Sequence, residues 1–390
     1  MESLLDRLLQ SIGRETFLKD HFGTGALHIK GSPEPVHDLM SWDELSRLLS
    51  MSSIWSPATL RVYMDSKPVP ASEYCGAALS ATQQEIQRPD PDKVQALIRR
   101  GASVALNDID RLNPALRAMA NALREMTGGS VQANLYFSMR QHQALCPHFD
   151  FHDVYAVHCC GEKSWHLYEG CEDAPVAHPA LAKDDEALLR AAGQQSATYD
   201  LTPGDLLYIP RGRYHDALAS ANGAVHVSFG VTMPKPLDLM STLWQCAVMN
   251  PKLRADLPLR SDKAAFGAAV RRMGEELQRM TESADVQNAM AETLTQFSSP
   301  ATDYDIAALT AEEVRYEVAT GIRLEKKHDK TLLGSGRKWV EVPAGLESPI
   351  AWVLQQKDIT ETGLGAACSS MNRDEVTELI GNLRAMNVLT

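Results

Sequence analysis

PHFDFHDVYAVHCCGEKSWHLYEG, residues 147–170, is the stretch on which the fold turns. His148 and Asp150 stand two apart, and side chains two apart on an extended strand point to the same side. An imidazole nitrogen and a carboxylate oxygen placed that way can share one metal ion. Beyond them, DVYAVHCC (153–160) and SWHLYEG (164–170) read as strands. The Gly161-Glu162-Lys163 between them reads as a turn, so a hairpin is expected.

A third ligand has to come from a facing strand. His215 is the candidate, 67 residues after His148, in TPGDLLYIPRGRYHDA (202–217). TPGD is a turn with Pro and Gly suitably placed, and LLYIP (206–210) is the strand it launches. Two histidines and one carboxylate on one side of a metal leave three positions open. That is the facial triad of non-haem Fe(II) oxygenases. An isolated HxD is a weak signal; inside a β-rich stretch, with PGDxLYIPxGxxH at barrel-return distance, it is a strong one. The competing reading makes these residues hydrogen-bonded polar groups on a barrel rim.

Working outward, VQANLYFSM (131–139) alternates, with Asn134, Tyr136 and Ser138 on one face, and AVHVSFGV (224–231) is a further alternating strand. Short strands at close spacing predict a barrel or sandwich rather than a βαβ sheet. On the N-terminal side, helices are expected over 41–50, where Ser41 and Glu44 suggest a capping box, over 90–100, and from Asn113-Pro114 to Gly128-Gly129. ALHIK (26–30) and ASVALND (102–108) read as strands. After Pro234 the chain reads as helical, with apolar residues at helical spacing in 237–248 and 263–280. SSPATD (298–303) is a linker candidate. The remainder mixes helix (310–321), strand (337–343) and a final helix (372–386).

The chain has 390 residues, enough for two or three domains, and 44% of them are apolar. It carries 38 Lys and Arg against 50 Asp and Glu, a net charge of −12. That balance argues against a general binder of nucleic acid or anionic membrane. The seven cysteines include no CxxC pair, and Cys159, Cys160 and Cys171 lack a partner at zinc-finger spacing. They read as reduced thiols of a cytoplasmic protein. The opening MESLLDRLLQ carries acids and does not read as a secretory signal; with no run of 18 apolar residues, no membrane span is expected.

These residues resemble the JmjC-type cupin dioxygenases, specifically the ribosomal oxygenase branch. The resemblance rests on 147–170 with 202–217, and extends to FLKDHFGTGALHIKG (17–31) and to 90–123 before the barrel. It implies an α+β fold, with a double-stranded β-helix (jelly-roll, JmjC cupin) catalytic core and N-terminal helical extension in 1–233. It further implies a helical dimerisation region in 234–300 and a winged-helix-like domain in 301–390. Fe(II) is the implied metal, held by His148, Asp150 and His215, with 2-oxoglutarate as co-substrate. Lys163, fifteen residues after His148, stands where the family places the basic residue for the distal carboxylate of 2-oxoglutarate. Asn134 and Tyr136 match positions that help hold the same molecule, and Ser228 is a further candidate for that contact. The chain departs from the pattern at Phe149, where relatives often have Tyr, at His158, where Gln is common, and on the late strand, which carries Ser228 and Gly230 where a serine that contacts the co-substrate is often found. His226 shares a face with Ser228, and His152 reads as an exposed rim residue, with a group supporting the site or facing the substrate as the alternative.

The activity implied is hydroxylation of a protein side chain, with a ribosomal protein as substrate, by a homodimer. The same chemistry on another peptide or a peptide natural product, a demethylase outcome, and a non-catalytic metal-binding scaffold are the alternatives. Winged-helix folds often bind DNA, but residues 301–390 hold 10 Lys and Arg against 14 Asp and Glu, so direct DNA binding is not expected.

Overall fold

Strand signals dominate from Leu27 to Thr232, and the computed structural model gathers them into one large antiparallel sheet. It describes residues 3–79, 82–139, 146–297, 314–327, 330–335, 338–343, 345–368 and 371–390. The chain divides into two compact units, Met1–Pro300 and Ala301–Thr390.

In the first unit the strands are β1 (Leu27–Ile29), β2 (Leu60–Met64), β3 (Lys67–Pro68), β4 (Cys75–Leu79), β5 (Glu85–Pro89), β6 (Ser103–Leu106), β7 (Ser130–Ser138), β8 (Asp153–Cys171), β9 (Gln195–Leu201), β10 (Leu206–Ile209) and β11 (Arg213–Thr232). The sheet order is β1-β10-β8-β11-β7-β6-β2-β3, with β9 also on β8, while β4 and β5 form a separate hairpin.

The expected hairpin at 153–170 is not formed. β8 runs unbroken through Gly161-Glu162-Lys163 and pairs with β11 on both sides of that point, from Val231↔Asp153 to Arg213↔Cys171. The reason lies in the backbone of both strands. Gly161 takes a positive φ of 69°, and β11 shifts register opposite it, between Ala219 and Ala224. The ribbon therefore bends as a pair instead of reversing. A Cβ at Gly161 would run into the carbonyl oxygen of Gly223. The first half of β8 pairs with β10 (Val154–Val157 against Leu206–Ile209) and the second half with β9 (Lys163–Leu167 against Ala197–Leu201). A larger wall and a smaller wall thus share one bent ribbon, and they face each other across a cavity.

The helices expected over 41–50, 90–100 and from Asn113-Pro114 onward form, with caps that explain their ends. Asn113 accepts from the Leu116 N–H at 2.7 Å to open Pro114–Thr127, and Gly128 closes it in the left-handed conformation. Ser41 accepts from the Glu44 N–H at 3.1 Å, but only half the expected box is made: the Glu44 carboxylate turns to Arg47 and Asn113. Phe17, Leu116, Leu123, Leu135, Tyr155, Tyr208 and Phe229 are fully buried in the main core. Each such side chain contributes about 1.5–3 kcal/mol by leaving water.

After β11 come the helices Met240–Val248, Lys263–Glu282 and Ala284–Phe297. Of the apolar stripe Leu237, Met240, Leu243, Trp244 and Val248, only Leu243 is buried; Trp244 remains 67% exposed. The linker candidate 298–303 lies outside the described residues. The second unit has β12 (Arg315–Glu317) paired with β16 (Asp358–Thr360), a sheet of β13 (Arg323–Lys327), β14 (Lys330–Ser335) and β15 (Lys338–Glu341), and helices Glu347–Val353, Glu361–Ala367 and Arg373–Ala385 around their own core. The helix expected over 310–321 is corrected here: Arg315–Glu317 are strand, drawn into β pairing with 358–360, and residues 310–313 lie outside the described ones. No helix among the described residues is long and apolar enough to cross a membrane.

Candidate metal centre

His148 and Asp150 do not lie within a regular strand. A single antiparallel bridge joins His148 to His215, with backbone bonds of 3.0 and 2.8 Å in the two directions. That bridge keeps the segment extended, so the two-residue spacing still sends both side chains to one side. His148, Asp150 and His215 offer one ligand atom each, all within 4.8 Å of one another. Asp150 Oδ2 lies 3.4 Å from His215 Nε2.

Both histidines are set as metal donors by the chain itself. His148 Nδ1 lies 2.9 Å from the Cys146 carbonyl and His215 Nδ1 3.0 Å from the Arg213 carbonyl. A carbonyl only accepts, so each Nδ1 carries the proton and each Nε2 keeps its lone pair. Burial, with the neighbouring His148, pushes the His215 pKa down to about 4, so its ring is neutral at pH 7. Burial alone would raise the Asp150 pKa, but His215, His148 and His152 hold it below the ordinary carboxylate value. Two imidazoles that present Nε2 and one carboxylate, converging from one side, suit a ferrous ion with open positions.

The cavity containing the triad holds about 160 Å³ and is bounded by both walls. The smaller wall supplies Lys163, Trp165, His215 and Ala217; the larger supplies Asn134, Tyr136, His226, Ser228 and Gly230. Every residue singled out from the sequence for metal or co-substrate therefore reaches this one space. Lys163 is 4% exposed. Its ammonium sits 3.4 Å from His226 Nδ1, 3.5 Å from Ser138 Oγ and 5.9 Å from the Trp165 ring. No carboxylate among the described residues pairs with it, and burial lowers its pKa to about 7. A buried cation without an anion is costly, and a ligand carboxylate would remove the cost.

His226 is clamped between Tyr136, stacked at 5.1 Å and 12°, and the edge of Trp165 at 5.1 Å. Trp165 in turn stacks on His215 at 5.7 Å, so the lysine end and the triad share one aromatic partition. Burial, then the Asp150 charge, keep the Tyr136 phenol protonated. Asn134 pairs with Ser228 across β7 and β11, and its Oδ1 accepts from the Asp108 N–H at 3.2 Å.

His158 stays in the wall, with Nε2 2.9 Å from the Gly161 carbonyl, and burial lowers its pKa to about 4. His152 differs from expectation: it lines the cavity rather than the outer rim. The signal was present in the sequence, since 152 continues the two-residue spacing of 148 and 150. The other misjudged signal was the bent ribbon, whose Gly161 imitates a turn.

Residues 109–239 match the JmjC domain family model. This chain carries a JmjC domain. Around that JmjC domain the likeness runs further. The Drosophila willistoni protein named bifunctional lysine-specific demethylase and histidyl-hydroxylase NO66 is 24% identical over 270 residues, covering 66% of this chain and 33% of that protein. Ribosomal oxygenase 2 of Bos taurus is 29% identical over 119 residues, 30% of this chain and 24% of that protein. The matched region thus spans about a third or less of these curated relatives. Among solved structures, Escherichia coli YcfD aligns with a TM-score of 0.50 and 18% identity over 96% of this chain and 97% of its own. A second YcfD structure, described as a ribosomal oxygenase in complex with cobalt and 2-oxoglutarate, aligns with a TM-score of 0.50 and 16% identity over the same shares. The bent ribbon and its two walls are therefore the JmjC cupin fold.

Proposed function

We propose that this JmjC protein is an Fe(II)- and 2-oxoglutarate-dependent oxygenase that hydroxylates a side chain of a protein, with a ribosomal protein as the substrate class. One observation carries the reading: a face of three metal donors and a buried lysine without a carboxylate partner open into the same cavity. His148, Asp150 and His215 hold the iron. Lys163 takes the distal carboxylate of 2-oxoglutarate, with His226 and Ser138 beside its ammonium, and Asn134, Tyr136 and Ser228 line the wall that the rest of the molecule follows. When bound, Fe(II) and 2-oxoglutarate supply the oxidant: dioxygen and 2-oxoglutarate give succinate and carbon dioxide, and one oxygen atom enters a substrate C–H bond.

The chain's own work is positional. The Cys146 and Arg213 carbonyls hold the two imidazoles in the donor tautomer. Trp165 and Tyr136 exclude water from the lysine end, which strengthens the Lys163–carboxylate attraction. The ribosomal substrate is supported by the likeness to Ribosomal oxygenase 2 and by a net charge of −12, which suits a basic polypeptide. A cytoplasmic location is the reading that goes with such a substrate.

We read the helices of 234–300 as a homodimer surface, supported by the unburied stripe of Leu237, Met240, Trp244 and Val248. Residues 301–390 are read as a winged-helix-like unit that docks substrate rather than DNA, in keeping with their acidic balance. The test is a mass-spectrometric comparison of ribosomal proteins from cells with and without the gene. A peptide that carries one added oxygen atom only when the gene is present is the expected result. Loss of a lysine methyl group instead would assign the demethylase outcome, and no difference would remove the ribosomal substrate.

A further inference from the structure

We infer that His152 is the residue of this cavity that recognises the side chain to be oxidised, and that Gly230 is a glycine because the His152 ring lies against it. The inference rests on the oxygenase reading above and names a residue that reading does not use.

A Cβ built on Gly230 would meet His152 Cε1 and Nε2 at 2.9 Å and Nδ1 at 3.0 Å. Three ring atoms at nearly equal distance mean that the imidazole lies face-on over the glycine. Gly230 sits in the interior of β11, paired with Gln132 and Val154, where a glycine weakens a strand and marks a close approach. The approach here is by a side chain with unfinished hydrogen bonding. His152 Nδ1 is shielded from water and has no partner among the described residues. A buried polar atom left so costs about 1–3 kcal/mol, so the ring is held in place against a cost. The Nε2 side, which is not among the buried unpartnered atoms, is the one that can meet a ligand in the cavity the residue lines.

Position decides which ligand. The inward residues of this part of β11 are His226, Ser228 and Gly230. Lys163 is at the His226 end, 3.4 Å from its Nδ1. Gly230 is four residues further along, about 13 Å on an extended strand. The triad is reached from Lys163 across one ring, Trp165, which contacts both His226 and His215. A five-carbon dicarboxylate anchored at Lys163 ends at the metal and is too short to continue to Gly230. His152 is therefore left to the other reactant. It is less buried than Lys163, as a residue on the mouth side should be. An imidazole offers one donor and one acceptor nitrogen, so the chemistry it selects is a side chain with nitrogen or oxygen near the oxidised carbon, rather than an aliphatic one.

The experiment uses the full-length protein, wild type and the variants His152→Ala and His152→Asn. Two quantities are measured: the dissociation constant for 2-oxoglutarate on the Mn(II)-loaded protein, and oxygen addition to whole-cell protein extract from cells lacking the gene, with each modified residue located by mass spectrometry. We expect His152→Ala to bind 2-oxoglutarate within about twofold of wild type, to lose at least about tenfold in oxygen addition, and His152→Asn to recover part of the loss. Modified residues should carry polar side chains. Undiminished oxygen addition by His152→Ala, a large loss of 2-oxoglutarate affinity in that variant, or modification confined to aliphatic side chains would each overturn the assignment. A wild-type protein that fails to bind 2-oxoglutarate, or binds it and modifies nothing in the extract, overturns the oxygenase reading and this inference with it.

Discussion

Lys163 Nζ and His226 Nδ1 lie 3.4 Å apart inside a wall of aromatic rings, and the closest groups to that ammonium are neutral. The lysine pKa is lowered from 10.5 to about 7 by burial. Below about pH 7 the folded state carries the full cost of a buried ammonium. Between there and the unfolded value the unfolded chain binds more protons, so stability rises with pH across that window. Thermal unfolding of the ligand-free protein should therefore shift upward from pH 7 to pH 9, and Lys163→Met should flatten that dependence. The same residue anchors the co-substrate, so Lys163→Ala should raise the 2-oxoglutarate requirement at least about tenfold, a loss of about 1.4 kcal/mol. An unchanged requirement would move the anchor elsewhere.

The triad makes a separate prediction about metal. Asp150→Ala or His215→Ala removes one of three donors, so Fe(II) affinity should fall by more than the roughly 10–100-fold lost when outer partners of a ligand are removed. The readout is iron retained after dialysis, with circular dichroism as the check on folding. His148→Ala should behave the same way. Retention of stoichiometric iron by any of the three would break the assignment.

The bend of the β8–β11 ribbon predicts a stability defect. Gly161 combines a φ of 69° with close contact to the Gly223 backbone. A side chain there meets left-handed strain and an overlap, which together should cost about 2 kcal/mol or more. Urea unfolding of Gly161→Ala should show a lower midpoint than wild type. An equal midpoint would mean that the ribbon can bend without this glycine.

The same bend shows where sequence reading stops. His148, Asp150 and His215 were legible because their signal is local: a two-residue spacing, a turn and a strand. Asn134 and Tyr136 reach the cavity as the alternation of their strand requires, whereas Lys163, read as a turn residue and singled out only by the resemblance, reaches it because β8 continues through it. Whether Gly161 reverses the chain or kinks it depends on β11, more than 50 residues away, which shifts register opposite it. β9 was missed because Gln195–Leu201 is polar along most of its length and is strand only through pairing with β8. Arg315–Glu317 read as helix because its strand partner, 358–360, lies about 40 residues on. His152 read chiefly as a rim residue although 152 continues the spacing of 148 and 150; what nothing local reveals is that Gly230 lies beneath its ring.

The helical segment after β11 carries the last prediction. Met240–Val248 presents Trp244 at 67% exposure and Met240 at 54%, and the adjoining Met273 is 46% exposed. These residues surround an apolar groove completed by Leu253 and Leu277. Contiguous exposed apolar surface of this kind marks an interaction site more often than chance, and tryptophan is among the residues that dominate such contacts. If a second copy covers the groove, Trp244→Glu places a charge where the partner buries carbon, and losing one dominant contact costs about 2 kcal/mol or more. The dimer dissociation constant should then rise about thirtyfold. Sedimentation equilibrium of wild type and variant measures this directly, with circular dichroism to verify that the helices remain. A wild-type protein that sediments as a monomer, or a variant as dimeric as wild type, would mean that this groove serves another partner.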